Sequence, residues 1–174
     1  MSIKNKLGQV AAMGVAAFAI VGLSAPAVAS AATPGPSTCA FQTVNTRNFV
    51  TAVGAGGRTT DVIHTDATGV GSWERFTLVP VGDGVHYGLR TSNGHYLTAV
   101  GGGGRSTDAI HSDATSLRDW EKFTVVRWGG DGYAIQTIDG HYLTAVGGGG
   151  RTSDTIHSNA TAVNSWELFF RNCS

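Results

Sequence analysis

The sequence predicts an all-β chain folded as a β-trefoil, with three pseudo-threefold repeats and twelve short strands. Three observations carry this expectation. A unit running from Asn48 to Phe76 recurs from His95 to Phe123 and from His141 to Phe169. Its markers keep step: Trp73, Trp120 and Trp166 lie 47 and 46 residues apart, and so do Arg58, Arg105, Arg151 and His64, His111, His157. A period of this size signals a repeat architecture. Beyond residue 38 the chain offers short β-branched and aromatic runs between Gly, Asn, Asp, Ser and Thr, with no 3.6-residue apolar period of helical length. The only two cysteines, Cys39 and Cys173, bracket the repeats. A bridge between them requires the first and last strands to be neighbours. Three blades are too few for a propeller, and a threefold period does not suit a two-sheet sandwich. A six-stranded barrel capped by three hairpins buries three equivalent lobes and brings the chain ends together.

The first repeat (39–80) is expected to place strands at Ala40 to Val44, Phe49 to Val53, Asp61 to Thr65 and Trp73 to Val79. The second (81–127) uses Val85 to Thr91, Tyr96 to Val100, Ala109 to Ser112 and Glu121 to Arg127. The third (128–174) uses Tyr133 to Ile138, Tyr142 to Val146, Thr155 to Ser158 and Glu167 to Asn172. Asn93-Gly94 and Asp139-Gly140 mark tight hairpins, because such turns need positive φ at their central positions. Alternation along the pleat turns Ile63, Ile110 and Ile156 inward and the following His outward. It also puts Leu97, Ala99, Leu143 and Ala145 on one face. Phe76, Phe123 and Phe169 and the three Trp residues are expected to fill the core, so that Trp120→Ala would cost about 3 to 5 kcal/mol.

Residues 1–31 read as a signal peptide: Lys4 and Lys6, an uncharged apolar run from Val10 to Leu23, and Ala-x-Ala sites around Ala27 to Ala31. A membrane span needs about 20 continuous apolar residues, and this run is shorter. Residues 32–38 follow as a flexible leader and 39–174 as a single domain, in a secreted, extracellular protein with no membrane contact after cleavage. Loss of the two lysines leaves ten Lys and Arg against twelve Asp and Glu. No basic field gathers nucleic acid. In an exported chain Cys39 and Cys173 are expected to form a disulfide, worth roughly 4 to 5 kcal/mol in the chain-entropy model.

Three residue sets bear on chemistry. Glu74, Glu121 and Glu167, the only glutamates, follow the Trp residues one per lobe, whereas a glycosidase needs two differently tuned carboxylates at one cleft. They are expected to accept backbone N–H bonds, and no enzyme activity is expected. The loops Gly54 to Gly57, Gly101 to Gly104 and Gly147 to Gly150 lack the Lys-Ser/Thr and the helix of a phosphate loop. Arg58, Asp61 and His64, with Arg105, Asp108 and His111 and with Arg151, Asp154 and His157, are the candidate ligand-binding residues. Beside Phe49, Tyr96 or Tyr142 each set offers polar groups for sugar hydroxyls and an aromatic for the sugar's apolar face. The opposing expectation is that Arg and Asp pair across the loop while His is merely exposed. No cofactor is expected. Zinc needs four close ligands, and histidines on three separate lobes do not supply them.

The Tyr-Leu-Thr-Ala strand, the small-residue loop after it and the closing Trp-Glu-x-Phe resemble the fascin-like β-trefoil repeat, clearest at Tyr96 to Ala99 and Trp120 to Phe123. The chain is similar to trefoil modules of secreted bacterial glycoside hydrolases, whose Ile, Ala and Trp-Glu-x-Phe pattern Ile63 to Phe76 and Ile110 to Phe123 follow loosely. This resemblance implies carbohydrate association. Animal fascins bundle actin with four such trefoils, a multiplicity that one exported trefoil lacks, and the ricin-type Gln-x-Trp motif is absent. The expected function is a non-catalytic lectin-like module with up to three weak, equivalent sites for a polysaccharide or cell-surface glycan. The alternative is an adaptor or inhibitor that binds a protein partner through unrepeated features such as His86, Trp128 and the Val81 to Val85 turn.

Overall fold

The computed structural model describes residues 35–174; the expected signal peptide and the first part of the leader lie outside the described residues. Twelve strands follow in order. They are β1 (Ser37–Thr43), β2 (Phe49–Ala52), β3 (Ile63–Ala67) and β4 (Phe76–Pro80) in the first repeat. The second holds β5 (Tyr87–Arg90), β6 (Tyr96–Ala99), β7 (Ile110–Ala114) and β8 (Lys122–Arg127). The third holds β9 (Gly132–Thr137), β10 (Tyr142–Ala145), β11 (Ile156–Ala160) and β12 (Phe169–Cys173). β1 begins inside the stretch expected to be leader, because Ser37 and Thr38 pair with Leu78 and Thr77 of β4.

Antiparallel pairing closes six strands into a ring, β1 to β4 to β5 to β8 to β9 to β12 and back to β1. Closure leaves the barrel no free edge. The other six strands form three hairpins, β2 with β3, β6 with β7 and β10 with β11, each with a register shift at the same place. Cys39 and Cys173 stand opposite each other in the β1–β12 ladder and are joined by a disulfide.

The core follows the expected faces. Phe76, Phe123 and Phe169 are fully buried with Phe41, Leu78 and Leu89, and the void bordered by Phe41, Phe76, Leu89, Phe169 and the hairpin isoleucines is only about 20 Å³. Burial of each such side chain contributes about 1.5 to 3 kcal/mol. Leu97, Ala99, Leu143 and Ala145 are buried as expected. Thr98 and Thr144 on the opposite face are buried too, for a reason given by the glutamates below. Ile63 and Ile110 are buried whereas Ile156 is partly so, and Thr155 beside it is buried with its hydroxyl donating to the Ile63 carbonyl at 2.6 Å.

In the Asn93-Gly94 and Asp139-Gly140 turns only the glycine takes positive φ, 94° and 85°. The matching turn of the first repeat has no glycine, and Arg47 adopts φ 62° there.

Backbone exchanges tie the lobes in a cycle. Ser112 donates its N–H to the Arg58 carbonyl at 2.8 Å while Gly57 donates to the Ser112 carbonyl at 2.7 Å. Ser158 with Arg105 and Gly104, and Thr65 with Arg151 and Gly150, repeat the pattern. The hydroxyls of Thr65, Ser112 and Ser158, fully buried, accept from the N–H of Arg151, Arg58 and Arg105 at 3.2 to 3.3 Å. The Gly-Arg segment of each lobe therefore anchors it to the next.

Candidate functional site

Each repeat brings its Arg, Asp and His together just before β3, β7 or β11. Asp61, Asp108 and Asp154 adopt φ of 50°, 48° and 49°, a conformation that Asp tolerates because its short polar side chain bonds locally. Their carboxylates meet His64, His111 and His157 Nε2 at 2.7 Å in every lobe. Arg58, Arg105 and Arg151 lie 3.5, 3.4 and 3.8 Å away on the other side. The arginine Nε also donates to the carbonyl of Thr60, Thr107 or Ser153. Arg and Asp thus pair across the loop, and the His is bonded to the same Asp. The arginines are about 40% exposed, and exposed pairs are worth about 0 to 1 kcal/mol. Arg105→Ala is expected to lower stability by less than about 1 kcal/mol, since its backbone bonds to Ser158 persist; a thermal melt checks this.

The aromatics expected beside these groups stand elsewhere. Phe49 pairs with Ala67 and Tyr96 with Ala114 at one end of their hairpins, whereas His64 pairs with Thr51 and His111 with Thr98 toward the other. Tyr142 packs edge-on against Trp128 instead, with ring centroids 6.2 Å apart.

The three repeated Trp residues require a correction. Trp73, Trp120 and Trp166 are 46%, 50% and 46% exposed and lie outside the core. They sit ahead of β4, β8 and β12, not in those strands, because the glutamate after each holds the chain in a turn. Glu121 is buried and accepts from the Thr98 hydroxyl at 2.7 Å and the Arg118 N–H at 2.9 Å. Glu74 binds Thr51 and Gly71, and Glu167 binds Thr144 and Asn164, in the same way. The expected backbone acceptance is present, and the repeated Thr of Tyr-Leu-Thr-Ala is its unforeseen partner. This clamp turns the preceding Trp outward on a fixed turn that packs against the hairpin strand of its own lobe. Trp120→Ala is expected to leave the melting temperature nearly unchanged, contrary to the sequence expectation.

A further feature belongs to all three lobes at once. The segments holding Asp61, Asp108 and Asp154 surround an open depression of about 460 Å³ floored by Ile63, Ile110 and Ile156. It lies on the pseudo-threefold axis. Among the described residues no group of three or more His, Cys, Asp or Glu stands close enough to hold a metal ion.

The unrepeated features lie in the turns between β4 and β5 and between β8 and β9. Asp83, in the β4–β5 turn, accepts the N–H groups of His86 and Val85 and the His86 ring at 2.6 Å. These bonds, the His86 N–H first, hold its carboxyl well below the usual carboxylate range. Val85 in this turn and Trp128 in the β8–β9 turn are exposed. Beside Trp120, Lys122 bonds Asp119 at 2.8 Å, which lowers the Asp119 pKa and raises that of Lys122.

No family model matches the chain, and no curated protein does. Solved structures do. The designed threefold-symmetric protein ThreeFoil aligns with 13% identity and a TM-score of 0.65, over 80% of this chain and 99% of its own. The fold is a β-trefoil. A Polyporus squamosus lectin bound to a human-type influenza-binding epitope aligns with 14% identity and a TM-score of 0.64, over 79% of this trefoil and 49% of the lectin. A GlcNAcα1-4Gal-releasing endo-β-galactosidase from Clostridium perfringens aligns with 9% identity and a TM-score of 0.60, over 79% of the trefoil and 32% of the enzyme. At these identities the likeness is one of fold.

Proposed function

We propose that this trefoil is a secreted, non-catalytic glycan-binding module that engages a polysaccharide or cell-surface glycan through three equivalent, weak sites centred on Trp73, Trp120 and Trp166. The observation that carries this reading is the half-exposure of all three Trp residues on turns fixed by buried Glu clamps. Large aromatics left in water at repeated positions mark an interaction surface. An indole offers a flat apolar face to the C–H side of a sugar ring and an N–H to its hydroxyls. The clamp fixes the turn in advance, so little ordering entropy is lost on binding. The saccharide complex of the Polyporus lectin supports the same class of ligand. The glutamates suit the non-catalytic reading, since each is buried, hydrogen-bonded and alone in its lobe.

The test is affinity electrophoresis and pull-down on cellulose, xylan, arabinan, chitin and galactan, with a glycan array alongside. Each single Trp→Ala variant is expected to weaken polymer binding severalfold, and the triple variant by more than about 100-fold, because linked weak sites multiply. Melting temperatures should stay within a few degrees of the parent. A folded triple variant that still binds polymer at the parental level overturns this assignment. The exposed Val85 and Trp128 favour a second reading, a protein partner at the β4–β5 and β8–β9 turns. Binding lost in Val85→Ser/Trp128→Ser and kept in the Trp triple variant would select it.

A further inference from the structure

We propose that the depression on the pseudo-threefold axis is a fourth binding site, one per molecule, for a small neutral polyhydroxylated group such as a single sugar unit or a polyol. The choice of ligand class rests on the glycan-binding reading, whereas the site itself does not. Its floor is apolar: Ile63, Ile110 and Ile156 close it below and line the buried core on their other side. Its rim is polar. Thr59, Thr60, Thr152 and Ser153 stand exposed around it, and Thr60 and Ser153 use only their carbonyls to hold Arg58 and Arg151, which leaves their hydroxyls for a ligand. An apolar base beneath a few placed polar groups is the usual composition of a small-molecule site.

Charge narrows the ligand further. Asp61, Asp108 and Asp154 line the depression as acceptors, but each is already bonded to its own His and paired with its own Arg. The carboxylates disfavour an anion, and no three acidic or His groups gather tightly enough for a metal ion. A carboxylate has lone-pair positions beyond those its partners occupy, so hydroxyl donors can be accepted in all three lobes. The lobe-to-lobe backbone exchanges fix the three rim segments in place. The set of Arg, Asp and His in each lobe then serves one shared site on the axis, with the Asp facing the ligand and the Arg and His holding it.

The experiment is a ¹⁵N-labelled NMR titration of the mature protein with methyl glucoside, methyl galactoside, methyl arabinofuranoside and myo-inositol. Concentrations reach ~100 mM, so that a dissociation constant in the millimolar range is covered. At least one probe is expected to shift the amides of Thr60, Ala109 and Thr155 together along a one-to-one isotherm. The shifts should persist in the triple Trp→Ala variant and weaken at least tenfold in Ser153→Trp, which fills the depression from an exposed position. Thr60→Tyr, on another lobe, replaces it should that variant fail to fold. Shifts confined to the Trp turns would leave the glycan reading intact and overturn the axial site. Absence of any shift there at the highest concentration, or a response to glucosamine hydrochloride or magnesium chloride but to no neutral probe, overturns it as well.

Discussion

Gly103→Val is expected to lower stability by about 2 to 6 kcal/mol, the combined scale of a backbone conformation open essentially to glycine alone and of an overpacked contact. Gly103 has φ 123° and ψ −165°, where a β-branched residue is strained. A Cβ built there would also clash with the Thr137 hydroxyl in the next lobe. Gly56 over Thr91 and Gly149 over Thr43 repeat this approach. Urea denaturation measures the effect, with Gly101→Ala as the control. Gly101 has φ 71° and its nearest neighbour, on Arg105, is 4.0 Å away, so only the left-handed backbone cost of about 1 to 2 kcal/mol applies. Equal losses in the two variants would show that the lobes do not press on one another at Gly103.

Cys39→Ser combined with Cys173→Ser is expected to cost about 2 to 5 kcal/mol. The bridge spans 134 residues of sequence and joins the two strands whose pairing closes the barrel, so without it the unfolded chain regains the freedom of the whole segment between Cys39 and Cys173. Cys39 is also buried in the core cluster, and a hydroxyl there lacks the thioether-like packing of sulfur. Denaturation of the parent with and without reductant should reproduce the difference, and alkylation followed by mass spectrometry confirms the oxidised state. A loss below about 1 kcal/mol would mean that the β1–β12 ladder closes the barrel unaided.

Much of the fold is legible in the sequence because the repeat states every signal three times. Phe76, Phe123 and Phe169 are in the core, all twelve strands form, and the terminal cysteines meet. The strand limits are less legible. Asp61, expected to open a strand, takes positive φ, and β3 begins two residues later at Ile63. Trp73, expected to start a strand and fill the core, stands in a turn. Its size and β-propensity describe an average environment, whereas its position is decided by Glu74 bonding Gly71 and Thr51. A buried Thr–Glu pair is a long-range contact between polar residues, and apolar periodicity carries no trace of it. A signal did exist: the Thr of each Tyr-Leu-Thr-Ala or Phe-Val-Thr-Ala strand precedes the clamp Glu by 23 residues in all three lobes. The sets of Arg, Asp and His were legible as residues and as a pairing. Their arrangement around one axis was not, because a linear repeat shows three equivalent things without saying whether they face apart or together.

The lobe-to-lobe exchanges carry a consequence for what one repeat is. Arg58 bonds Ser112, Arg105 bonds Ser158, and Arg151 reaches back 86 residues to Thr65, so no lobe contains both halves of its own bond. A single repeat cut from the chain would expose a buried hydroxyl, an unpaired carbonyl and a loop with nothing to rest on. It could satisfy them only by meeting two further copies of itself in a ring. The present chain closes that ring with three similar but unlike repeats in one polypeptide, and the Cys39–Cys173 bridge locks it at the one seam where no peptide bond runs.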